Sequence, residues 1–328
     1  MVADEAQSVT APAGAELSIV IVLYNSADEI GACLESVKPD VVSGWAELIV
    51  VDNASSDGGA AAVRALVPEA CIISHSRNLG FANGVNAGLV AARGRYALLL
   101  NPDVTVPSDG LRALVAWMDA RPHLAAASPH IVDANTRGSA APARSFPTVW
   151  RTVLELGRVH RLLPAGLRSR LLLGAYWDGG DTEAADWVPG TAMFVRVAAI
   201  ARVGMLSPSF FMYGEDIEWC WRMRRAGYRV GVHAGVSFVH GGSPSSTNAW
   251  GAAGRARRVI LGCHAANVSM HGSAHARTIA AVTAVALWLE AHSPGRSEEH
   301  RADAATAASQ WLKLALRRSS GLASPSED

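Results

Sequence analysis

The run Tyr96-Ala97-Leu98-Leu99-Leu100 is apolar without a break and stops abruptly at Asn101-Pro102-Asp103. An apolar run of that length, with no polar alternation, reads as a strand covered on both faces, which demands helices above and below the sheet. The same pattern occurs twice earlier. Leu17-Ser18-Ile19-Val20-Ile21-Val22-Leu23-Tyr24 ends at Asn25-Ser26, and Leu48-Ile49-Val50-Val51 ends at Asp52-Asn53. Helical spacing follows the first strand (Ile30, Cys33, Leu34, Val37), with Ser26 as its N-cap, and follows the second through Val63 and Leu66. Cys71-Ile72-Ile73 reads as a third strand and Phe81–Ala92 as a helix bearing Gly and Asn. Strand and helix in this rhythm predict an α/β fold with a mostly parallel sheet and right-handed crossovers.

In such a sheet the strand ends lie on one rim, and ligands bind outside the carboxyl ends. Tyr24-Asn25, Asp52-Asn53 and Asn101-Pro102-Asp103 therefore converge in space. A carboxylate there suits Mg²⁺ or Mn²⁺ held against a diphosphate. The competing reading of Asn-Pro-Asp is a tight turn, with Asn and Asp bonded to their own backbone. Between the strand ends lies Arg77-Asn78-Leu79-Gly80-Phe81, a glycine turn opening a helix. Its N–H groups and Arg77 could serve an anion, or its glycines could serve close helix–sheet packing. It is neither a Walker loop nor a G-x-G-x-x-G turn.

Further on, Leu111–Met118 predicts a helix, Ala125–Ile131 a strand, Ala192–Arg196 a strand and Glu215–Ala226 a helix. Val230–Val239 reads as a strand pair or one bent strand, and Pro142–Gly180 as an irregular insertion, either mobile or facing an acceptor. The expected domains are a disordered tail at 1–16, a main α/β domain at 17–250 divided near 103, and a helical region at 251–328. Lys+Arg and Asp+Glu number 29 each, so no net field recruits nucleic acid. Four scattered cysteines without a C-x-x-C pair predict free thiols in a cytoplasmic protein. No stretch has the form of a signal peptide or is long enough to span a bilayer.

The ordered set Ser18–Asn25, Val51–Gly58, Arg77–Ala82, Leu100–Asp103, Gly190–Phe194, Phe211–Asp216 and Val239-His240 resembles the inverting family 2 glycosyltransferases of the GT-A fold. Within that family the likeness is to bacterial rhamnosyltransferases of cell-wall and O-antigen assembly. It spans about residues 17–245 and fades across Pro142–Gly180 and after Trp250. The resemblance implies a UDP- or TDP-sugar donor, with Asp52 on the base ring and Tyr24, Asn25, Arg77, Asn78, Gly80 and Asn101 around the nucleotide. It implies a divalent metal on Asp103 with His240, and a general base at Asp216 with Glu215 as the less favoured choice. Trp187 and Gly190 would face the acceptor, a glycan or a polyprenyl-diphosphate sugar. The chain departs from the usual Asp-x-Asp, since Asn101 stands at the first acid. The first-turn acids Glu215 and Asp216 have a plainer reading as complements of a helix dipole, and Trp187 as a wedge under a loop.

Two rivals remain at this level: a non-catalytic sugar-nucleotide-binding protein of the same fold, and a nucleotidyltransferase. The latter normally carries an early Gly-rich, Lys-bearing loop, which Tyr24-Asn25-Ser26 is not. The tail helix around Gln310–Arg318 has apolar residues on one face and Lys and Arg on another. It suits the inner face of the plasma membrane or packing on its own domain or on a second subunit of a homo-oligomer.

Overall fold

The computed structural model of the chain describes residues 14–136, 138, 141–156, 159–242 and 245–317. In chain order the first half holds β1 (Leu17–Leu23), α1 (Ala27–Val42), β2 (Ala46–Asp52), α2 (Gly59–Leu66), β3 (Cys71–Ser74), α3 (Phe81–Ala91) and β4 (Tyr96–Leu100). Then come β5 (Val104–Thr105), α4 (Gly110–Asp119), β6 (Leu124–Asp133), α5 (Val149–Leu156), α6 (Ala165–Leu172), β7 (Thr182–Ala185) and β8 (Ala192–Arg196). The chain continues with α7 (Val197–Val203), α8 (Glu215–Arg225), β9 (Arg229–His240), α9 (Ser245–His271), α10 (Ser273–Ala291) and α11 (Glu298–Leu316).

One sheet runs β3-β2-β1-β4-β8-β6-β9-β5, with β7 also on β9. Strands β3, β2, β1 and β4 are parallel, as the sequence predicts. Beyond β4 the sheet is mixed: β8 runs antiparallel to β4 and β6, while β9 runs parallel to β6. The period-2 rule sorts each strand between two cores. On β1, Leu17, Ile19, Ile21 and Leu23 face α1, α2 and α4, whereas Val20 joins α3 and α8 on the other side. Likewise β4 sends Leu98 and Leu100 one way and Ala97 and Leu99 the other. The result is helix, sheet, helix, with the strand ends of β1 and β4 adjoining where the chain switches direction across the sheet.

Residues 14–16 belong to the fold rather than to a tail: the Glu16 N–H donates to Trp45 O, and its carboxylate takes Arg95 Nε at 2.8 Å. The rest of the expected tail lies outside the described residues. The insertion expected to be irregular contains α5 and α6. Strand β9 is one bent strand, its register against β6 slipping between Pro129 and His130, where a proline cannot donate to the ladder. Helix α9 is kinked at Gly251 and starts before the expected boundary at 251. Helices α10 and α11 pair with each other over Ala280, Leu314 and Ala315, with Trp311 half-buried among them. Trp288, Leu289, Leu312 and Leu316 stay exposed. No helix among the described residues is long and apolar enough to cross a membrane.

Candidate active site

β4 ends at Leu100, just before Asn101-Pro102, since proline has no N–H with which to continue the ladder. The Val104 N–H then donates to Asn101 O at 3.2 Å, closing a turn with Pro102 at its second position. The turn reading of Asn-Pro-Asp is therefore correct for the backbone, and it leaves the Asp103 side chain free for other work. Asp103 Oδ2 lies 3.2 Å from His240 Nε2, and the Gly241 N–H donates to Asp103 O at 2.7 Å. Both contacts follow from the β5–β9 pairing, which sets Val104 opposite His240. Asp103 holds the His240 imidazole proton more tightly than usual, outweighing the opposite effect of burial.

These two side chains line a cavity of about 310 Å³ at the carboxyl ends of β1 and β4, within the range of small-ligand sites. Tyr24, Asn78, Gly80 and Asn101 line it as well. Asn25, Asp52 and Arg77 do not. Arg77 is exposed. Asp52 is buried and accepts from the Ser55 N–H at 2.9 Å. Asn25, at φ 47°, stitches two strand-end loops together: its Oδ1 accepts from the Ser56 N–H at 2.9 Å, and its N–H donates to Ser55 Oγ.

Two residues have larger scaffolding roles than their place in strand-end turns suggests. Asn53, 2 % exposed, clamps the Asn78–Gly80 loop by donating to Asn78 Oδ1 (2.8 Å) and Gly80 O while accepting from the Leu79 N–H. Asp57 accepts from the Gly59 N–H at the head of α2 and also from the Ala27 N–H at 2.7 Å. It thereby does for α1 what was expected of Ser26, whose hydroxyl donates to Tyr24 O instead. The contacts of the glycine turn are those of the packing reading, since the Leu79, Gly80 and Phe81 N–H groups all donate within the protein. Gly80, at φ 83°, lets the chain meet Phe211, whose carbonyl already takes the Phe81 N–H at 2.6 Å. Gly84 and Gly88 let α3 lie against Val22 and Val20.

Glu215 and Asp216 open α8 behind Gly214. Asp216 is tied to the cavity through the chain segment between them: its Oδ2 accepts from the Gly190 N–H at 3.2 Å, and the next residue, Thr191, lines the cavity and takes the Asn101 N–H on its carbonyl. Asp216 Oδ1 accepts from the Ile217 N–H. Burial pushes the Asp216 carboxyl upward in spite of those N–H groups. Glu215 is 4 % exposed, and its Oε2 has no hydrogen-bond partner among the described residues. Desolvation, then the Asp216 charge, pushes Glu215 well above the carboxylate range. A solvated dipole complement would look different. Glu218, in the same turn, is the structural acid, held by Arg222 Nε at 2.8 Å.

Trp187 is half-buried, donates its indole N–H to Ser145 O and carries the Arg144 guanidinium 5.5 Å from its ring centre. Its neighbour Asp186 accepts from Arg151 at 2.6 Å and pairs with Arg224 at 3.3 Å, fastening the insertion to α8. His233 stacks on Trp117 and binds Asp181, a structural role. The four cysteines are free thiols, and burial lifts Cys33, Cys220 and Cys263 to about 12.

A carboxylate and an imidazole at contact distance are a fitting donor pair for a hard divalent cation that completes its shell with phosphate oxygens and water. No cluster of three such side chains occurs among the described residues, so the substrate would have to supply the remainder. Binding a cation through the imidazole requires its neutral form, so it competes with protonation of His240.

Comparison with known proteins agrees with this architecture. Residues 18–164 match the family described as glycosyl transferase family 2, and 96–294 match glycosyl transferase family group 2. A low-salt glycan biosynthesis hexosyltransferase of Haloferax volcanii, Agl10, is 30% identical over 238 residues, 69% of this chain and 67% of that protein. An N-acetylglucosaminyl-diphospho-decaprenol L-rhamnosyltransferase of Mycobacterium tuberculosis is 26% identical over 207 residues, 55% of this chain and 62% of that protein. Among solved structures, the mannosyltransferase PcManGT of Pyrobaculum calidifontis, in complex with GDP-Man and Mn²⁺, superposes with a TM-score of 0.55 at 18% identity, covering 92% of this chain and 86% of that one. S. aureus TarS 1–349 gives 0.53 at 14% identity, covering 92% and 81%. At those identities the structures establish the GT-A fold.

Proposed function

Since this chain belongs to the family 2 glycosyltransferases, we propose that it transfers a sugar with inversion from a UDP- or TDP-sugar to a hydroxyl of a glycan or lipid-linked acceptor. Rhamnose is the sugar we favour, in cell-envelope or glycoconjugate synthesis. The observation that carries the reading is the Asp103–His240 pair and, from Asn101 two residues before Asp103, the line of contacts through Thr191 and Gly190 to the carboxylate of Asp216.

Inversion requires the acceptor oxygen to attack the anomeric carbon from the side opposite the leaving diphosphate. As that C–O bond forms, the bond to the diphosphate breaks and its electron pair stays on the phosphate oxygen. The acceptor proton passes to a carboxylate within about 3 Å. Asp216 suits this role, because the Gly190 and Ile217 N–H groups hold the carboxylate in place and its raised affinity for a proton makes it a better base than an ordinary Asp. A divalent ion on Asp103 and His240 would neutralise charge building on the diphosphate. Asp52 would meet the ring N–H of uracil or thymine with the oxygen not engaged by Ser55, and Tyr24 would lie alongside the nucleoside. Gly190 and Trp187 would border the acceptor. The Mycobacterium relative is named for a decaprenol-linked substrate, which supports a polyprenyl-diphosphate acceptor here. A protein working on such a lipid would rest peripherally on the cytoplasmic membrane face. The exposed Trp288, Leu289, Leu312 and Leu316 of α10 and α11 would supply the contact.

The test is Asp216→Asn assayed for nucleoside diphosphate release across UDP- and TDP-sugars. Loss of turnover by about 10²-fold or more with donor binding retained is expected for a base. Equal turnover in variant and wild type would remove Asp216 from the role. A wild type that binds donors yet neither transfers nor hydrolyses any of them would favour the non-catalytic binding protein.

A further inference from the structure

Helix α9 presents one face to the nucleotide cavity, set by residues spaced three and four apart. Gly262 anchors it: a side chain there would collide with the Tyr213 carbonyl, and one on Gly214 would collide with the Gly262 carbonyl. One turn earlier, the buried Arg258 lies 4.2 Å from the Trp250 ring centre and 5.7 Å from that of Phe211. A further turn back is Arg255, which lines the cavity together with Asp103, His240, Asn101 and Trp250. Its Nε lies 3.4 Å from Tyr213 Oη. Among the described residues no carboxylate forms an ion pair with it. The exposed Arg255 thus brings to the cavity lining a cation with no ion-pair partner among the described residues, on the same lining as the acid and the imidazole of the metal-binding pair.

We propose that Arg255 is a catalytic residue that binds the β-phosphate of the donor diphosphate and carries part of its leaving-group charge. The inference rests on the sugar-nucleotide reading of the cavity. It fits the departure at Asn101: with one acid fewer on the metal side, less negative charge holds the cation, and a guanidinium from α9 supplies positive charge directly. As the anomeric C–O bond breaks, the pair of electrons retained by the diphosphate adds negative charge at the β-phosphate oxygen. A guanidinium offers two N–H groups in a fork to those oxygens. Arg77 is off the cavity wall and is not positioned for this in the structure.

The experiment is calorimetric titration of wild type, Arg255→Ala, Arg255→Gln and the exposed neighbour Arg257→Ala with UMP, UDP and TDP, with and without Mn²⁺. Loss of one charge-assisted contact predicts that UDP and TDP bind Arg255→Ala about tenfold or more weaker, with UMP nearly unchanged. Arg257→Ala should match wild type. Arg255→Gln should follow the Ala variant, which keeps the test open if Ala disturbs α9. The deficit should be larger without Mn²⁺. Unchanged UDP affinity in the Arg255 variants overturns the proposal, as does an equal loss for UMP and UDP. Wild type that binds none of these nucleotides overturns the donor reading itself, and this inference with it.

Discussion

Replacing Glu215 by Gln separates the two acids at the head of α8 and tests the physics of their burial. In the native protein Glu215 has an oxygen with no partner and a carboxylate as neighbour, so it keeps its proton far above its ordinary value of 4.5. Its folded pKa is raised above its unfolded one. The stability it contributes is therefore fully present below pH 4.5 and is lost as pH rises through the folded value. Each unit of upward shift amounts to about 1.4 kcal/mol by the time that titration is complete. The acids held low by partners, such as Asp119 and Glu183, act in the opposite sense and only in the acid range. Gln cannot ionise. It adds a roughly constant cost for an unpaired buried amide, on the order of 1–3 kcal/mol, which offsets the curve without changing its slope. Urea unfolding of wild type and Glu215→Gln from about pH 5 to about pH 9 should give a difference curve that moves in favour of the variant as pH rises, at up to about 1.4 kcal/mol per pH unit within the titration. Turnover should survive in Glu215→Gln and collapse in Asp216→Asn. Parallel stability curves would refute the burial argument, and collapse in Glu215→Gln would transfer the role of base to Glu215.

Other outcomes follow from single contacts. Asp57→Ala frees the first N–H groups of both α1 and α2 and should cost about 1–3 kcal/mol by denaturation, more than an ordinary single cap. Gly88→Ala drives a methyl into Val20 and should lower stability by about 1–3 kcal/mol through overpacking, with catalysis by the folded fraction intact. The kcat/KM profile should fall on the acid side around a pKa above that of an ordinary Asp, because Asp216 must be unprotonated and burial has raised its proton affinity; in wild type a limb near pH 4 would contradict that.

The sequence made the parallel half of the sheet legible because β1, β2 and β4 are apolar on both faces, and continuous apolar runs have few other uses. It also made the convergence of Asp103 and His240 legible, since ordered motifs carried it across the long stretch of chain between them. What stayed hidden was decided by long-range contacts. Asn53 and Asp57 look like turn residues until the Asn78–Gly80 loop and the start of α1 arrive beside them. Arg255 looks like one of many cations in a basic tail until Gly262 brings α9 against Tyr213. The mixed half of the sheet was harder to foresee because β8 and β9 are separated from their partners by the insertion, and a strand's own sequence does not state its direction.

The most direct test of the central claim is thermal stabilisation of the full chain by UDP, TDP and GDP, each with and without Mn²⁺. Saturating ligand at about 100-fold above Kd should stabilise the fold by about 2.7 kcal/mol, a shift of several degrees in Tm. The account predicts that shift for UDP and TDP, larger with Mn²⁺, and a smaller one for GDP. A preference for GDP would contradict the role given to Asp52, and the absence of any Mn²⁺ effect would contradict the metal-binding pair of Asp103 and His240.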